Sequence, residues 1–192
     1  MANYGERIAY WYLRLNGFFL VENFVHHRNR HRQPSDSDLL AIRLRHSSSL
    51  IDGGPGQFAL DHLWHDRFCV NLTTSNVAVI VQVKAGHGGG DSARAFERSR
   101  LTDAVRFIGQ WNAQEVPPIV DALRRGPDLE VDDWTVVKLL IGMTQLDTAH
   151  FLSLADEATT FVRHRMQYAR KRSDWVYFPD DLIQYLIWHP PL

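Results

Sequence analysis

The chain contains 192 residues, of which 45% are apolar and 22% charged. This composition excludes a mainly disordered protein and predicts one folded domain over residues 1–192. Lysine and arginine total 21 and aspartate and glutamate total 22, so the net charge of −1 excludes a strongly basic molecule and confines any anion-binding surface to a local patch. The N-terminus lacks the features of a secretory signal, and no apolar stretch reaches the ~20 residues of a membrane-spanning helix. We therefore expect a cytoplasmic protein without a membrane partner.

The N-terminal part of the chain predicts a helix followed by two strands. Apolar residues recur at helical spacing over 6–15, and the Asn16-Gly17 pair that follows is typical of a helix end. Residues 18–26 are dense in aromatic and β-branched side chains, which favour a strand. After a polar segment, the apolar run over 38–44 predicts a second strand.

The middle of the chain combines an irregular insertion with the strongest strand signal. Serine and glycine clusters interrupt residues 45–76, where we expect one short ordered piece at 58–68. The run VAVIVQVK at 77–84 is mostly β-branched and predicts a strand. Its apolar residues do not alternate with polar ones until its end, which indicates burial on both faces.

The second half of the chain predicts helices around one further strand. Helical spacing covers 93–111, 117–124, 155–172 and 180–188, and a buried strand is expected at 134–141. Continuous apolar strands require helices on both sides of the sheet. The sequence therefore predicts an α/β fold in which α-helices flank a mixed β-sheet.

Polar side chains interrupt the apolar strands at their ends. Strand alternation places Gln82 and Lys84 on one face of their strand, and Asp38 begins the preceding strand. If the two strands are neighbours, a carboxylate, an amide and an ammonium group meet at one point. Oxygen ligands hold Mg²⁺, and a nearby cation helps to orient water and to stabilise negative charge on a phosphate.

With Glu6 on the first helix, this arrangement resembles the PD-(D/E)XK nuclease superfamily, to which many restriction endonucleases and Holliday-junction resolvases belong. The matching stretches are GERIAYWYLRLNGFFLVENFV, SDSDLLAIR and VAVIVQVKAG, which lie in the first half of the chain. In that family a helical glutamate precedes an aspartate at the start of one strand and an acid-x-lysine triplet at the end of the next. Asp38 matches the metal-binding aspartate, Gln82 the second ligand, Lys84 the catalytic lysine and Glu6 the helical glutamate. Asp36 is a weaker match for the aspartate because it lies before the apolar strand.

The resemblance implies a restriction-endonuclease-like fold and a Mg²⁺-dependent nuclease, with Mn²⁺ as a substitute ion and DNA as the expected nucleic acid. Glu6, Asp38 and Gln82 would bind the metal, and Asp38, Gln82 and Lys84 would form the catalytic set. In this set Lys84 would assist the attacking water and the developing phosphate charge.

Gln82 departs from the family pattern, which has Asp or Glu at this position. A neutral amide offers an oxygen ligand without the negative charge, so we expect weak Mg²⁺ binding. The alternative hypothesis is a catalytically inactive nuclease-fold protein that acts as a nucleic-acid or protein interaction module. A homodimer is compatible with either hypothesis.

Two basic runs are candidate phosphate-binding surfaces. The first contains Arg28, Arg30 and Arg32 and continues to Arg43 and Arg45, and the second contains the residues Arg163, Arg165, Arg170, Lys171 and Arg172. Clustered cations neutralise phosphates even on a nearly neutral protein. The alternative is a solvated helix face for the second run and a loop for the first.

Cys69 is the single cysteine of the chain and lies between Phe68 and Val70. Free cysteines usually behave as small apolar residues. We expect Cys69 to be buried.

Overall fold

The structure is a computed structural model that describes residues 4–25, 36–47, 61–84, 96–143, 145, 147 and 149–171. The described residues form an α/β fold with a mixed, open sheet of six strands. In chain order the elements are α1 (Tyr4–Leu15), β1 (Phe19–Val25), β2 (Asp36–Arg43), α2 (Leu63–Asp66), β3 (Asn76–Lys84), α3 (Arg98–Ile108), α4 (Val116–Leu123), β4 (Asp128–Val131), β5 (Trp134–Gly142), β6 (His150–Ser153) and α5 (Thr159–Lys171). A π-helical turn, Leu154–Ala158, leads into α5.

The sheet is antiparallel on one side and parallel at its centre. Strands β1, β2 and β3 are neighbours in an antiparallel arrangement, and β5 pairs with β3 in parallel. The far edge of β5 pairs with two short strands, β4 antiparallel and β6 parallel. This topology places the start of β2 beside the carboxyl end of β3, at the same edge of the sheet as the carboxyl end of β5.

Two apolar cores lie on opposite faces of the sheet. Helices α1 and α5 cover one face, and α3 and α4 cover the other. The alternation of β3 assigns its side chains to the two cores. The core under α1 contains Val77, Val79, Val81 and Val83, and the core under α3 contains Ala78 and Ile80. The predicted burial of this strand on both faces is confirmed.

Most predicted elements are confirmed, with changes at their ends. Strand β2 begins at Asp36, two residues before the predicted start, so Asp38 lies within the strand. Helix α3 ends earlier than predicted because Gly109 adopts the left-handed conformation, with φ of 74°, that terminates helices. The predicted helix at 180–188, and residues 58–60 and 93–95 of other predicted elements, lie outside the described residues.

Strands β4 and β6 were not predicted from the sequence. Each has four residues, too few for a clear periodic pattern. Both pair with the same edge of β5, and they are joined by a hydrogen bond between His150 Nε2 and Asp128 Oδ2 at 2.5 Å. A tight turn in which Asp132 has φ of 53° connects β4 to β5.

The expectation that Cys69 is buried is wrong. Its side chain is exposed, whereas Phe68 and Val70 on either side are buried. The backbone at Cys69 has a positive φ of 56°, an uncommon conformation for a residue other than glycine. This local turn directs the two neighbours to the core and leaves the thiol at the surface.

Lys138 is a charged residue within the completely buried strand β5. Its side chain is 1% exposed, and Nζ lies 5.4 Å from the centre of the Phe96 ring. Burial lowers the pKa of Lys138 to about 8, although the negative charge of Asp128 acts in the opposite direction. The folded protein therefore holds this proton less tightly than the unfolded chain.

We predict that Lys138→Met stabilises the protein at pH 7. Because the ordinary lysine pKa is 10.5, the unfolded state binds more protons between pH 8 and 10.5, and stability should rise with pH in that window. Removing the buried charge should raise the free energy of unfolding at pH 7 by about 1–2 kcal/mol. It should also reduce the increase of that free energy between pH 8 and 10.5. Urea unfolding at pH 7 and pH 10 measures both effects, and a less stable variant at pH 7 would contradict the prediction.

Candidate active site

The antiparallel pairing of β2 with β3 brings Asp38 to Gln82. Leu39 pairs with Val81, so the preceding residue of β2 faces the following residue of β3. The Oδ2 atom of Asp38 accepts hydrogen bonds from Gln82 Nε2 and, at 2.5 Å, from the backbone N–H of Val83. Two of the residues singled out in the sequence are therefore in direct contact.

Glu6 and Lys84 lie close enough for their charges to act on Asp38. Glu6 belongs to the first turn of α1, and Lys84 is the last residue of β3. The charge of Glu6 raises the pKa of the Asp38 carboxyl, and the charge of Lys84 lowers it. The structure therefore brings all four predicted site residues to one end of the sheet, and their chemical roles remain predictions.

Burial is the main reason why the pKa of Asp38 is raised above its ordinary value. The backbone hydrogen bond from Val83 lowers this pKa, and the negative charge of Glu6 raises it again. The smaller lowering effects of Lys84 and Gln82 do not reverse the net result. Two neighbouring carboxylates with incomplete charge compensation favour the approach of a cation.

The amide of Gln82 joins Asp38 to a residue that the sequence did not single out. Gln82 is 4% exposed, its Nε2 donates to Asp38, and its Oε1 accepts from Arg100 Nη1 at 3.5 Å. Arg100 is half-buried in the first turns of α3. Arg100 shares a helix face with the buried Ala104, and this spacing was the only sequence feature that could have pointed to Arg100. The crossing of α3 over the end of β3 is a tertiary feature that the sequence does not show.

The donor chemistry fits a hard divalent cation after one rearrangement. Asp38 provides carboxylate oxygens, and Glu6 places a second negative charge nearby. The Gln82 oxygen faces Arg100, so metal coordination by Gln82 requires rotation of its amide. Among the described residues no group of three or more His, Cys, Asp and Glu side chains is arranged to hold a metal. Mg²⁺ retains several waters and needs few protein ligands, which suits this small set.

Gly142 allows the backbones of β5 and β3 to lie close together at Lys84. The two residues are partners in the parallel ladder of β3 and β5. A Cβ atom at position 142 would lie 2.9 Å from the carbonyl oxygen of Lys84, closer than real Cβ contacts allow. Glycine is therefore required at this position for the two strands to keep their present separation next to the site.

The predicted nucleic-acid-binding arginines have different environments. Arg28, Arg30 and Arg32 lie outside the described residues. Arg163 is half-buried, whereas Arg165 is 6% exposed and its guanidinium lies 5.3 Å from the centre of the Phe161 ring. In the described part of the second run, the arginines do not form a continuous exposed face, and their contact with nucleic acid remains a prediction.

Arg43, from the first basic run, is buried and has a structural role. Its guanidinium donates to the backbone carbonyl groups of Asn16, Leu44, Ser47 and Leu72. These bonds connect the end of β2 to the segments after α1 and before β3. Arg43 therefore stabilises the fold at the end of the sheet opposite to Asp38.

We predict that Asp38→Asn raises the thermal unfolding midpoint at pH 7 by a few degrees. The raised pKa of Asp38 means that the folded state holds this proton more tightly than the unfolded chain. Stability is therefore lost as the pH rises from the ordinary value of 3.8 through the folded-state pKa, and the asparagine removes this loss. Calorimetry at pH 4 and pH 7 measures the difference.

Asp133→Asn is the matched control for this measurement. Asp133 accepts a hydrogen bond from the Asn76 amide at 2.8 Å, so it also pairs a carboxylate with an amide of β3, at the opposite end of the strand. Asp133 is exposed, and its replacement should not stabilise the protein. A destabilised Asp38→Asn variant would contradict the assignment of Asp38 as a half-buried charge that destabilises the fold at pH 7.

Comparisons with known proteins give no relative from which a role for these residues can be transferred. No protein-family model matches the chain, and no match is found among curated proteins or among solved structures. No helix in the part of the chain that the structure describes is long and apolar enough to cross a membrane. The function must therefore be inferred from the geometry and chemistry of the site itself.

Proposed function

We propose that this chain is a metal-dependent nuclease with a restriction-endonuclease-like fold that hydrolyses DNA phosphodiester bonds. The observation that carries the proposal is the contact between Asp38 and Gln82, together with the charges of Glu6 and Lys84 acting on the same carboxylate. The order of one helix, three adjacent antiparallel strands and a further helix supports the fold assignment in the region of the resemblance.

Asp38, Gln82 and Glu6 would hold Mg²⁺ or Mn²⁺ in this proposal. The bound ion would supply a Lewis acid and water of lowered pKa near the scissile phosphate. Asp38 would contribute a carboxylate that hydrogen bonds from Val83 and Gln82 hold in place. Gln82 contributes a neutral oxygen, and this keeps the ligand set less negative than one with two strand-end acids.

Lys84 would act on the phosphate and on the attacking water. It shares a strand face with Gln82 and is half-buried, so its ammonium group emerges beside the proposed ligands. An ammonium group only donates hydrogen bonds, which suits it to orient a water through its oxygen and to stabilise charge on phosphate oxygens. The ladder pairing with Gly142 would help by holding the backbone from which this side chain extends.

The orientation of Gln82 favours a second candidate function, a nuclease-fold protein that binds nucleic acid or another protein without cleaving it. Its Nε2, rather than its Oε1, faces Asp38. A protein that kept this orientation permanently would lack the second oxygen ligand. The two functions differ in whether divalent metal leads to cleavage.

We predict that Lys84→Ala folds normally but loses cleavage by about 100-fold or more, because a positioned cation near a phosphate is worth several kcal/mol in the transition state. The assay follows duplex DNA, single-stranded DNA and RNA with Mg²⁺, with Mn²⁺ and with EDTA. Asp133→Asn is the control that should retain wild-type rates. Wild-type cleavage by Lys84→Ala would remove Lys84 from the mechanism, and nucleic-acid binding without cleavage by the wild type would support the second function.

We predict that Gln82→Glu tightens Mn²⁺ binding several-fold and that Asp38→Asn weakens it. The first substitution adds a negative charge with nearly the same shape, and the second removes one. Titration calorimetry of the wild type and both variants measures the affinities without requiring activity. If neither substitution changes the Mn²⁺ affinity, these residues do not share an ion site.

A further inference from the structure

We propose that Arg100 is a phosphate-binding residue that, in the absence of nucleic acid, holds Gln82 in an orientation unsuited to metal, so that nucleic acid and metal bind cooperatively. The inference rests on the proposed function and deepens it by naming how the substrate prepares the metal site. It is carried by two features of Arg100, its contact with Gln82 and its unsatisfied buried donor.

The hydrogen-bonding groups around Gln82 define the orientation of its amide. Ionised Asp38 only accepts hydrogen bonds, and the Arg100 guanidinium only donates them. Gln82 therefore turns Nε2 to Asp38 and Oε1 to Arg100. The opposite orientation would place oxygen against a carboxylate and NH₂ against a guanidinium, so both neighbours disfavour it.

A cation at Asp38 requires that opposite orientation if Gln82 is to serve as a ligand. Metal ions bind the amide oxygen, and this oxygen is turned towards Arg100. The donor from Arg100 thus stabilises the metal-free arrangement. Loss of that donor would leave Asp38 as the only described residue whose side chain sets the amide orientation, and a cation at Asp38 reverses its preference.

The guanidinium of Arg100 has a hydrogen-bond donor that is available to a ligand. Its Nε is buried and has no hydrogen-bond partner among the described residues, and the contact from Nη1 to Gln82 is long at 3.5 Å. A guanidinium pairs with two phosphate oxygens at once, which is a stronger interaction than one contact with a neutral amide. Lys84 adds a second positive charge next to Asp38. A phosphate at this end of the sheet would therefore draw Arg100 away from Gln82.

Arg98 provides a matched comparison on the same helix. It is exposed, and its guanidinium forms an ion pair with Asp121 at 3.0 Å. It therefore has the same charge as Arg100 and nearly the same sequence position, but its partner lies on α4 rather than at Gln82. A general effect of positive charge on α3 would appear in both residues.

The test measures metal and DNA binding separately in the wild type, Arg100→Met and Arg98→Met. Mn²⁺ affinity without DNA is measured by electron paramagnetic resonance of the free ion, and the affinity for a fluorescent DNA duplex in EDTA is measured by anisotropy. We expect Arg100→Met to bind Mn²⁺ at least about fivefold more tightly and DNA at least about fivefold more weakly than the wild type, as typical coupling energies imply. Arg98→Met should bind Mn²⁺ like the wild type. A merely structural role of Arg100 would not move the two affinities in opposite directions.

Arg100→Lys guards against misfolding of the methionine variant and separates the two roles of the guanidinium. A lysine keeps the positive charge for phosphate but loses the planar fork, so Mn²⁺ affinity should rise while DNA affinity falls less than in Arg100→Met. If the wild type binds Mn²⁺ and both Arg100 variants bind it with the wild-type affinity, the inference about Arg100 is overturned and the proposed nuclease site stands. If no variant and no wild-type protein binds Mn²⁺, with or without DNA, the proposed metal-dependent function fails together with this inference.

Discussion

The hydrogen bonds to the half-buried carboxylate of Asp38 connect the sheet to its candidate chemistry. A half-buried charge requires donors, and the antiparallel pairing of β2 with β3 supplies the Val83 N–H and the Gln82 amide at the same oxygen. Partial burial also raises the pKa of the carboxyl group. The backbone register therefore positions the acid and also sets its electrostatic state.

The site combines groups from both layers of the molecule. Glu6 belongs to α1 on one face of the sheet, whereas Arg100 belongs to α3 on the other face. The negative charge of Glu6 acts on Asp38, and the positively charged Arg100 donates to Gln82, the hydrogen-bond partner of Asp38. In the proposed function, Glu6 favours a cation at Asp38, whereas Arg100 favours a phosphate next to Gln82.

The sequence predicts those parts of the site that depend on local periodicity. The two-residue period of β3 separates Gln82 and Lys84 from Val83, and the two cores agree with that separation. The contact of Asp38 with Gln82 required the adjacency of two strands, which a sequence pattern cannot establish. Arg100 required the position of a helix over a strand end, and Cys69 required an unusual backbone conformation. The four-residue strands β4 and β6 depend on pairing with β5 rather than on their own propensity.

Gly142 has a consequence for the conformational entropy of Lys84. The ladder of β3 and β5 holds the Lys84 backbone at a separation from β5 that a Cβ at position 142 would not allow. The remaining freedom is in the side-chain torsions, whose ordering costs at most about 2 kcal/mol for a lysine. A phosphate that binds the Lys84 ammonium group therefore has to order only the side chain. The β3 backbone that carries this side chain is already ordered.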